Sequence, residues 1–366
     1  MSTWGRIIGA AGITTGVLGA AALGGVTAQR RAVRRYRASS GSDPQGYDML
    51  AADRTYSVLG DDGVVLHVEE VGPDDAPLTV IFGHGWTLRA GSWHYQRIGV
   101  AGKGFGLGKS NDEARLVFFD QRSHGKSSRA GSDHVTMEDL AGDLAAVMAT
   151  AAPVGPVVLV GHSMGGMALI TLAGLRPNLF TDRVVGVALV STSAGEASTR
   201  SLSRSLILSG GALIKLASAT ASRYPTLLER GRAGGRDAIW LLTRALGFAQ
   251  KDVPGELVDY LDEMISATPV DVIADFAPAL VGLDQVAALP VLGSLPVVII
   301  CGDADRQTPL SRSRAIAAAL PDAELVIIEG AGHMAIMESP EIVNSTLRGL
   351  FHRALMFSRS PARKSG

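Results

Sequence analysis

Pro156-Val157-Val158-Leu159-Val160-Gly161-His162-Ser163-Met164-Gly165 is an apolar run that ends in Gly-x-Ser-x-Gly. The run is short, rich in valine and uncharged, which reads as a strand buried on both faces. The stretch Met167–Leu175 that follows is helix-forming. A serine on so sharp a strand-to-helix turn projects its hydroxyl out of the sheet, and the backbone N–H groups after it point into the same space. Gly161 and Gly165 fit because a side chain at either place would crowd the turn. Ser163 is therefore the candidate nucleophile. On a glycine-rich chain the motif alone would be weak; the strand before it and the helix after it make it specific.

The chain has 366 residues, 46% hydrophobic and 19% charged, with a formal net charge of −1. That size suits one domain with an insertion. The charge balance offers no global attraction to nucleic acid. Cys301 is the sole cysteine, which excludes an intrachain disulfide and a cysteine-based zinc site. The eight histidines show no His-Glu-x-x-His and no other recognisable ligand spacing, so no metal and no cofactor are expected.

Residues 7–28 carry no charge over 22 positions, long enough to span a bilayer as a helix. Gly12, Gly16, Ala20 and Gly24 recur every fourth residue, a stripe of small residues that lets two membrane helices approach. Arg30, Arg31, Arg34, Arg35 and Arg37 follow, while only Arg6 and the terminal amine precede. Residues 1–40 are expected to be a hydrophobic anchor and basic linker outside the folded domain, with the remainder on the cytoplasmic side. A cleaved signal peptide with a site at Val26-Thr27-Ala28, implying secretion, and a soluble leader are the rival readings. Residues Ser39–Gly46 read as a linker, and 358–366 as a flexible tail.

Thr55–Leu59 and Val64–Val71 flank Gly60-Asp61-Asp62-Gly63 as a hairpin. Leu78–Phe82, Leu116–Phe119, Val184–Val190, Pro296–Ile300 and Glu324–Ile328 read as further strands. Met137–Thr150, Leu310–Leu320 and Pro340–Leu355 read as helices. This alternation implies a parallel α/β sheet with helices on both faces. It lapses between Ser191 and Leu295, where Leu202–Ser218, Ala238–Phe248, Glu256–Ile265 and Asp271–Leu280 are helical by composition. Such a stretch is too long for a plain loop. It is expected to be a helical cap over residues 196–290, splitting a core of 50–195 and 291–357. Gly102 to Ser110 resembles a phosphate loop, but Lys103 stands where the Walker spacing needs glycine, so it reads as a surface loop.

Several separate motifs then accumulate in order. His84-Gly85-Trp86 follows the third strand. Asp120-Gln121-Arg122-Ser123-His124-Gly125-Lys126-Ser127 follows the fourth. Gly302-Asp303-Ala304-Asp305-Arg306, with Pro309, follows the seventh. Gly330-Ala331-Gly332-His333-Met334, with Glu338-Ser339-Pro340, follows the last. From about Tyr56 to Phe351, the cap apart, the chain resembles the α/β-hydrolase fold superfamily in its serine-nucleophile, cap-bearing, esterase- and lipase-like form. Ser123 departs from the family's glycine at its position. The resemblance implies a mostly parallel eight-stranded sheet, helices on both faces and an inserted helical cap.

A serine hydroxyl needs a base to take its proton during attack. His333, on a glycine-flanked turn after the final strand, is the candidate. Asp303 and Asp305 compete to orient it. The family spacing favours Asp305, leaving Asp303 to cap the turn or pair with Arg306, and Glu196 is a distant third. The resemblance implies an oxyanion site formed by the backbone N–H groups of Trp86 and Met164. Trp86 also reads as a wall of the acyl pocket. His162 reads as structural, and His84, His94 and His124 as structural or cap-facing rather than catalytic. The expected reaction is hydrolysis of a carboxylic ester with an apolar acyl part, a small or lipid-like molecule, through an acyl-serine. Lactone, thioester and carbon–carbon hydrolysis and cofactor-free perhydrolysis remain open on the same residues. So does a non-catalytic membrane-tethered binding protein. The sequence leaves the oligomeric state open.

Overall fold

A computed structural model describes residues 27–38, 46–47, 50–100, 114–195 and 236–360. Most of the hydrophobic segment at 7–28, the linker at 39–45, the glycine-rich loop at 102–110, Glu196 and the expected helix 202–218 lie outside the described residues.

Alternate residues of the central strands feed two cores. In Val157–His162 (β5), Val158 and Val160 join one core. Val157 and Leu159 join the other. The same split recurs in Leu78–Gly83 (β3), Val184–Val190 (β6) and Val297–Gly302 (β7). Side chains of a strand alternate faces, so a strand covered on both sides must be apolar throughout. Arg54–Leu59 (β1), Val65–Val71 (β2), Ala114–Phe119 (β4) and Glu324–Ile328 (β8) complete one eight-stranded sheet, in the order β1-β2-β4-β3-β5-β6-β7-β8. β1 and β2 pair antiparallel, as does β2 with β4. The remaining pairs are parallel.

Met137–Ala151 (α3), Met164–Leu175 (α4), Pro177–Asp182 (α5) and Leu310–Ala319 (α9) cover one face. His94–Val100 (α2) and Pro340–Arg359 (α11) cover the other. α3 starts on a capping box between Thr136 and Asp139, which satisfies two otherwise orphaned backbone donors. α11 runs through Arg359, so the expected flexible tail at 358 begins as helix; residues 361–366 lie outside the description.

Between β6 and β7 the described residues form Arg236–Gly247 (α6), Gly255–Ala267 (α7) and Val270–Val281 (α8), close to three of the helices read from composition. The basic segment after the hydrophobic stretch does not behave as a free linker. Residues 27–38 form a helix (α1) that docks on α6 and α7. Val33 is buried there, and the Tyr36 ring meets Trp240 edge-on at 5.4 Å. The Tyr36 hydroxyl donates to the Val253 carbonyl at 2.8 Å and accepts from Arg244 Nε at 2.7 Å. Arg37 pairs with Asp259 at 2.6 Å. Charge counting missed this because the arginines on the docked side find their carboxylates only in the folded chain. Among the described residues no single helix is long and apolar enough to cross a membrane.

Candidate active site

The strand order reverses around β3, with β4 on one side and β5 on the other. Open α/β sheets hold their ligands at such a switch point, beyond the strand C-termini. Ser163 follows β5 there, with φ 50° and ψ −117°. A serine held at positive φ costs on the order of 1–3 kcal/mol and persists only where its surroundings enforce it. Two glycines do so. A Cβ on Gly165 would lie 2.2 Å from the Gly83 carbonyl oxygen, and one on Gly161 would lie 2.5 Å from the Gly166 nitrogen.

Three of the residues named from the sequence come together. His333 Nε2 lies 3.1 Å from Ser163 Oγ. His333 Nδ1 lies 2.9 Å from Asp305 Oδ2. A carboxylate can only accept, so Nδ1 carries the proton and Nε2 is left to accept from the serine. His333 and Asp305 are buried, and Ser163 is half-buried.

Asp305 is itself held. Its Oδ1 accepts from the Gln307 and Thr308 amides at 2.8 and 2.9 Å. Its Oδ2 also accepts from the Thr308 hydroxyl at 2.8 Å. Burial alone pushes this carboxyl up, but the bond to His333, its charge and the Thr308 donors outweigh burial and leave it below the usual range. Asp303 is exposed and accepts from the Gly330 amide at 2.8 Å. It caps the turn, while Arg306 donates to the Ala245 carbonyl instead. Thr308 was not singled out by the sequence; a hydroxyl three residues after the acid was its only signal.

The amides of Trp86 and Met164 donate to no protein acceptor among the described residues. The loop carrying Trp86 is fixed by two histidines. His84 Nδ1 donates to the Gly85 carbonyl at 2.8 Å, and its Nε2 accepts from the Gln121 amide at 2.9 Å. His124 Nδ1 donates to the Arg122 carbonyl at 2.8 Å, and its Nε2 accepts from the Thr87 amide at 3.1 Å. Each ring uses one donor and one acceptor, which requires the neutral form. Burial lowers His84 to about 4. Burial, then the neighbouring His84, lowers His124 to about 3. Inside the elbow, His162 Nε2 donates to the His333 carbonyl at 3.1 Å. Burial, then His333, lowers it to about 3. His94 is buried and packs edge-on against Tyr47, Tyr95 and the Tyr260 ring of α7.

A cavity of about 400 Å³ opens over Ser163 and His333. Trp86 and Met167 form its floor side; Leu242, Leu246, Ile265 and Leu280 reach it from the cap helices. Elsewhere, Asp62, His134 and Asp139 lie within metal-ligand reach of one another. No sequence spacing marks that group, and it serves Arg122, which bonds Asp62 Oδ2 and the His134 carbonyl at 2.7 Å each.

Residues 80–346 match the model of the alpha/beta hydrolase family. The chain is 26% identical over 318 residues to a monoacylglycerol lipase from Mycolicibacterium smegmatis, covering 80% of this chain and 94% of the lipase. It is 33% identical over 110 residues to a non-heme chloroperoxidase from Streptomyces lividans, where it spans 30% of this chain and only 36% of the relative. Among solved structures, a thermophilic esterase from Thermogutta terrifontis superposes with a TM-score of 0.62 at 25% identity, covering 82% of this chain and 99% of the esterase. An enol-lactonase from Burkholderia xenovorans gives 0.62 at 20% identity, covering 82% and 100%, which speaks to the fold alone. With its sheet order, its strained serine and a family match across most of the core, the chain belongs to the alpha/beta hydrolase family.

Proposed function

We propose that the protein is a serine hydrolase that cleaves a carboxylic ester with an apolar acyl chain. The hydrogen-bonded series Ser163–His333–Asp305 beneath an apolar cavity carries this reading. His333 takes the Ser163 proton as Oγ attacks the ester carbonyl. Asp305 fixes the imidazole tautomer and stabilises the imidazolium. The amides of Trp86 and Met164, which meet no protein acceptor among the described residues, receive the oxyanion. His333 then protonates the leaving alkoxide, and water, activated by the same histidine, releases the acid from the acyl-serine. The cavity falls within the roughly 300–1,000 Å³ typical of small-molecule sites. Its lining of Leu, Ile, Met and Trp suits an acyl chain rather than a charged group. Similarity to a monoacylglycerol lipase and to an esterase agrees with that choice.

Hydrolysis of p-nitrophenyl esters from acetate to palmitate, with Ser163→Ala alongside, tests it. Turnover that peaks at a medium or long chain and disappears in the variant is expected. Turnover of a lactone or thioester with every ester inert would move the assignment within the family; turnover that survives Ser163→Ala would end it.

We further infer that residues 7–28 anchor the chain in a membrane, with the hydrolase on the cytoplasmic side. Their uncharged length and the arginines after them support this. So does α1, which leads from that segment directly onto the cap and leaves Arg31, Arg34 and Arg35 facing solvent, suited to an anionic lipid surface. Resistance of the full chain to alkaline carbonate extraction is expected; release into the supernatant would contradict it.

A further inference from the structure

Glu338, the last residue of the short helix Ala335–Glu338 (α10), is buried. No Lys or Arg pairs with it among the described residues. Its carboxylate is held by three backbone amides from two distant stretches. Oε2 accepts from the Gly332 amide at 2.5 Å, immediately before His333. Oε1 accepts from Ala249 at 2.7 Å and from Gln250, both in the segment that leaves cap helix α6. Two more bonds close the same seam. The Met334 amide, immediately after His333, donates to the Gly247 carbonyl at 2.8 Å. Gln250 Nε2 donates to Ser339 Oγ at 3.1 Å. The histidine turn is thus tied to the cap directly after His333, through the Met334 amide, and before it by way of the Glu338 carboxylate. Gly332 permits the approach: a Cβ there would meet the Ala249 nitrogen at 2.8 Å and the Gly247 oxygen at 2.9 Å.

We propose that Glu338 is a positioning residue that ties the seating of the cap to the placement of His333, so that the base is aligned only while segment 247–250 is docked. The inference rests on the reading of Ser163 and His333 as nucleophile and base. Only a carboxylate serves. It offers about four acceptor sites and no donor, whereas a glutamine would turn an N–H toward an amide N–H. Displacing a base by about 1 Å costs on the order of 10²-fold in rate. A cap that shifts away from its seat therefore disables the histidine as it exposes the cavity, and the apolar cavity filled by substrate holds the cap down.

The test uses the full chain, Glu338→Gln and Gly332→Ala. The first keeps the side-chain volume; the second wedges segment 247–250 off the turn and leaves the Glu338 carboxylate in place. Two rates are read at a temperature where circular dichroism shows each protein folded: modification of Ser163 by a fluorophosphonate, and kcat and KM on a p-nitrophenyl ester. Both variants are expected to lose about 10- to 100-fold in labelling rate and in kcat together, with KM within about twofold. A folded Glu338→Gln labelled at the wild-type rate, with only its melting temperature lowered, would overturn the proposal and leave the serine-hydrolase reading standing. A wild-type chain that resists labelling would defeat both. Should the variants fail to fold, amide exchange of the wild-type chain decides. Residues 247–250 and 330–334 are expected to exchange as one unit; exchange of the cap segment far ahead of the histidine turn would overturn the coupling.

Discussion

The floor of the site and its roof are built on different principles. The floor is the sheet edge: the turn at Ser163, the acid turn at Asp305, the histidine turn and the loop at His84–Thr87. Backbone contacts and buried hydrogen bonds leave each of these one arrangement. Among the described residues the roof is α6, α7 and α8, helices that present interchangeable aliphatic side chains to the cavity. Chemistry resides where one atom's displacement matters. Selectivity resides where volume matters and identity does not. Damage to the floor should therefore cost all substrates alike, whereas changes to the cavity-lining side chains of the roof, with the cap still seated, should sort substrates by size.

The sharpest way to break this contrast is at the acid. Asp305→Asn removes the acceptor that fixes the His333 tautomer, and a loss of about 10⁴-fold in kcat is expected on every ester. Asp303→Asn should stay within about twofold, because that side chain caps a turn at the surface. The reverse pattern in steady-state assays would move the acid to Asp303. In the roof, Leu280→Trp fills cavity volume. It should slow a laurate ester about tenfold while leaving acetate within about twofold; equal losses on both esters would erase the distinction between floor and roof. Thr308→Val removes the hydroxyl that supports Asp305. A fall in kcat of about tenfold is expected, independent of chain length, because a charge-assisted hydrogen bond of about 1.5 kcal/mol is lost.

Acid acts on the floor through stability rather than through rate. The unfolded chain protonates histidine near 6.5, but the folded site refuses the proton until about 4 at His84 and about 3 at His124 and His162. The unfolded state therefore binds more protons in that window, and stability is present above about pH 6.5 and falls as the pH drops through it. Each histidine costs the fold on the order of 3 kcal/mol of stability by pH 4. Residues 236–290 of the cap contain no histidine, so acid should loosen the floor first. Urea unfolding at pH 7, 5 and 4 checks this; midpoints that hold steady to pH 4 would mean these rings accept protons in the fold.

Legibility in the sequence follows the same divide. The strands, the serine turn and the glycine-flanked His333 were readable because their constraints are local: a two-sided apolar run, a glycine where a side chain would collide. Asp305 is favoured over Asp303 only by the resemblance to the family's acid turn, and the structure brings Asp305, not Asp303, to His333. Thr308, the paired locks of His84 and His124, and the three-amide grip of Glu338 were not readable. Each depends on a partner far along the chain, and no periodicity encodes a hydrogen bond across two loops. The docking of α1 was missed for the same reason. Its arginines read as a charge run, whereas Arg37 and Arg30 meet Asp259 and Asp237 only once the cap is folded. The α2 helix escaped notice because His94–Val100 is short and mixes polar with apolar residues.

The proposed reaction passes through an acyl group on Ser163. Rapid acid quenching of the full chain during turnover of p-nitrophenyl laurate, followed by peptide mass spectrometry, looks for that group. A lauroyl ester on the peptide carrying Ser163, accumulating ahead of steady state and absent from Ser163→Ala, is the expected result. Undiminished turnover with no acyl group on Ser163 would contradict it.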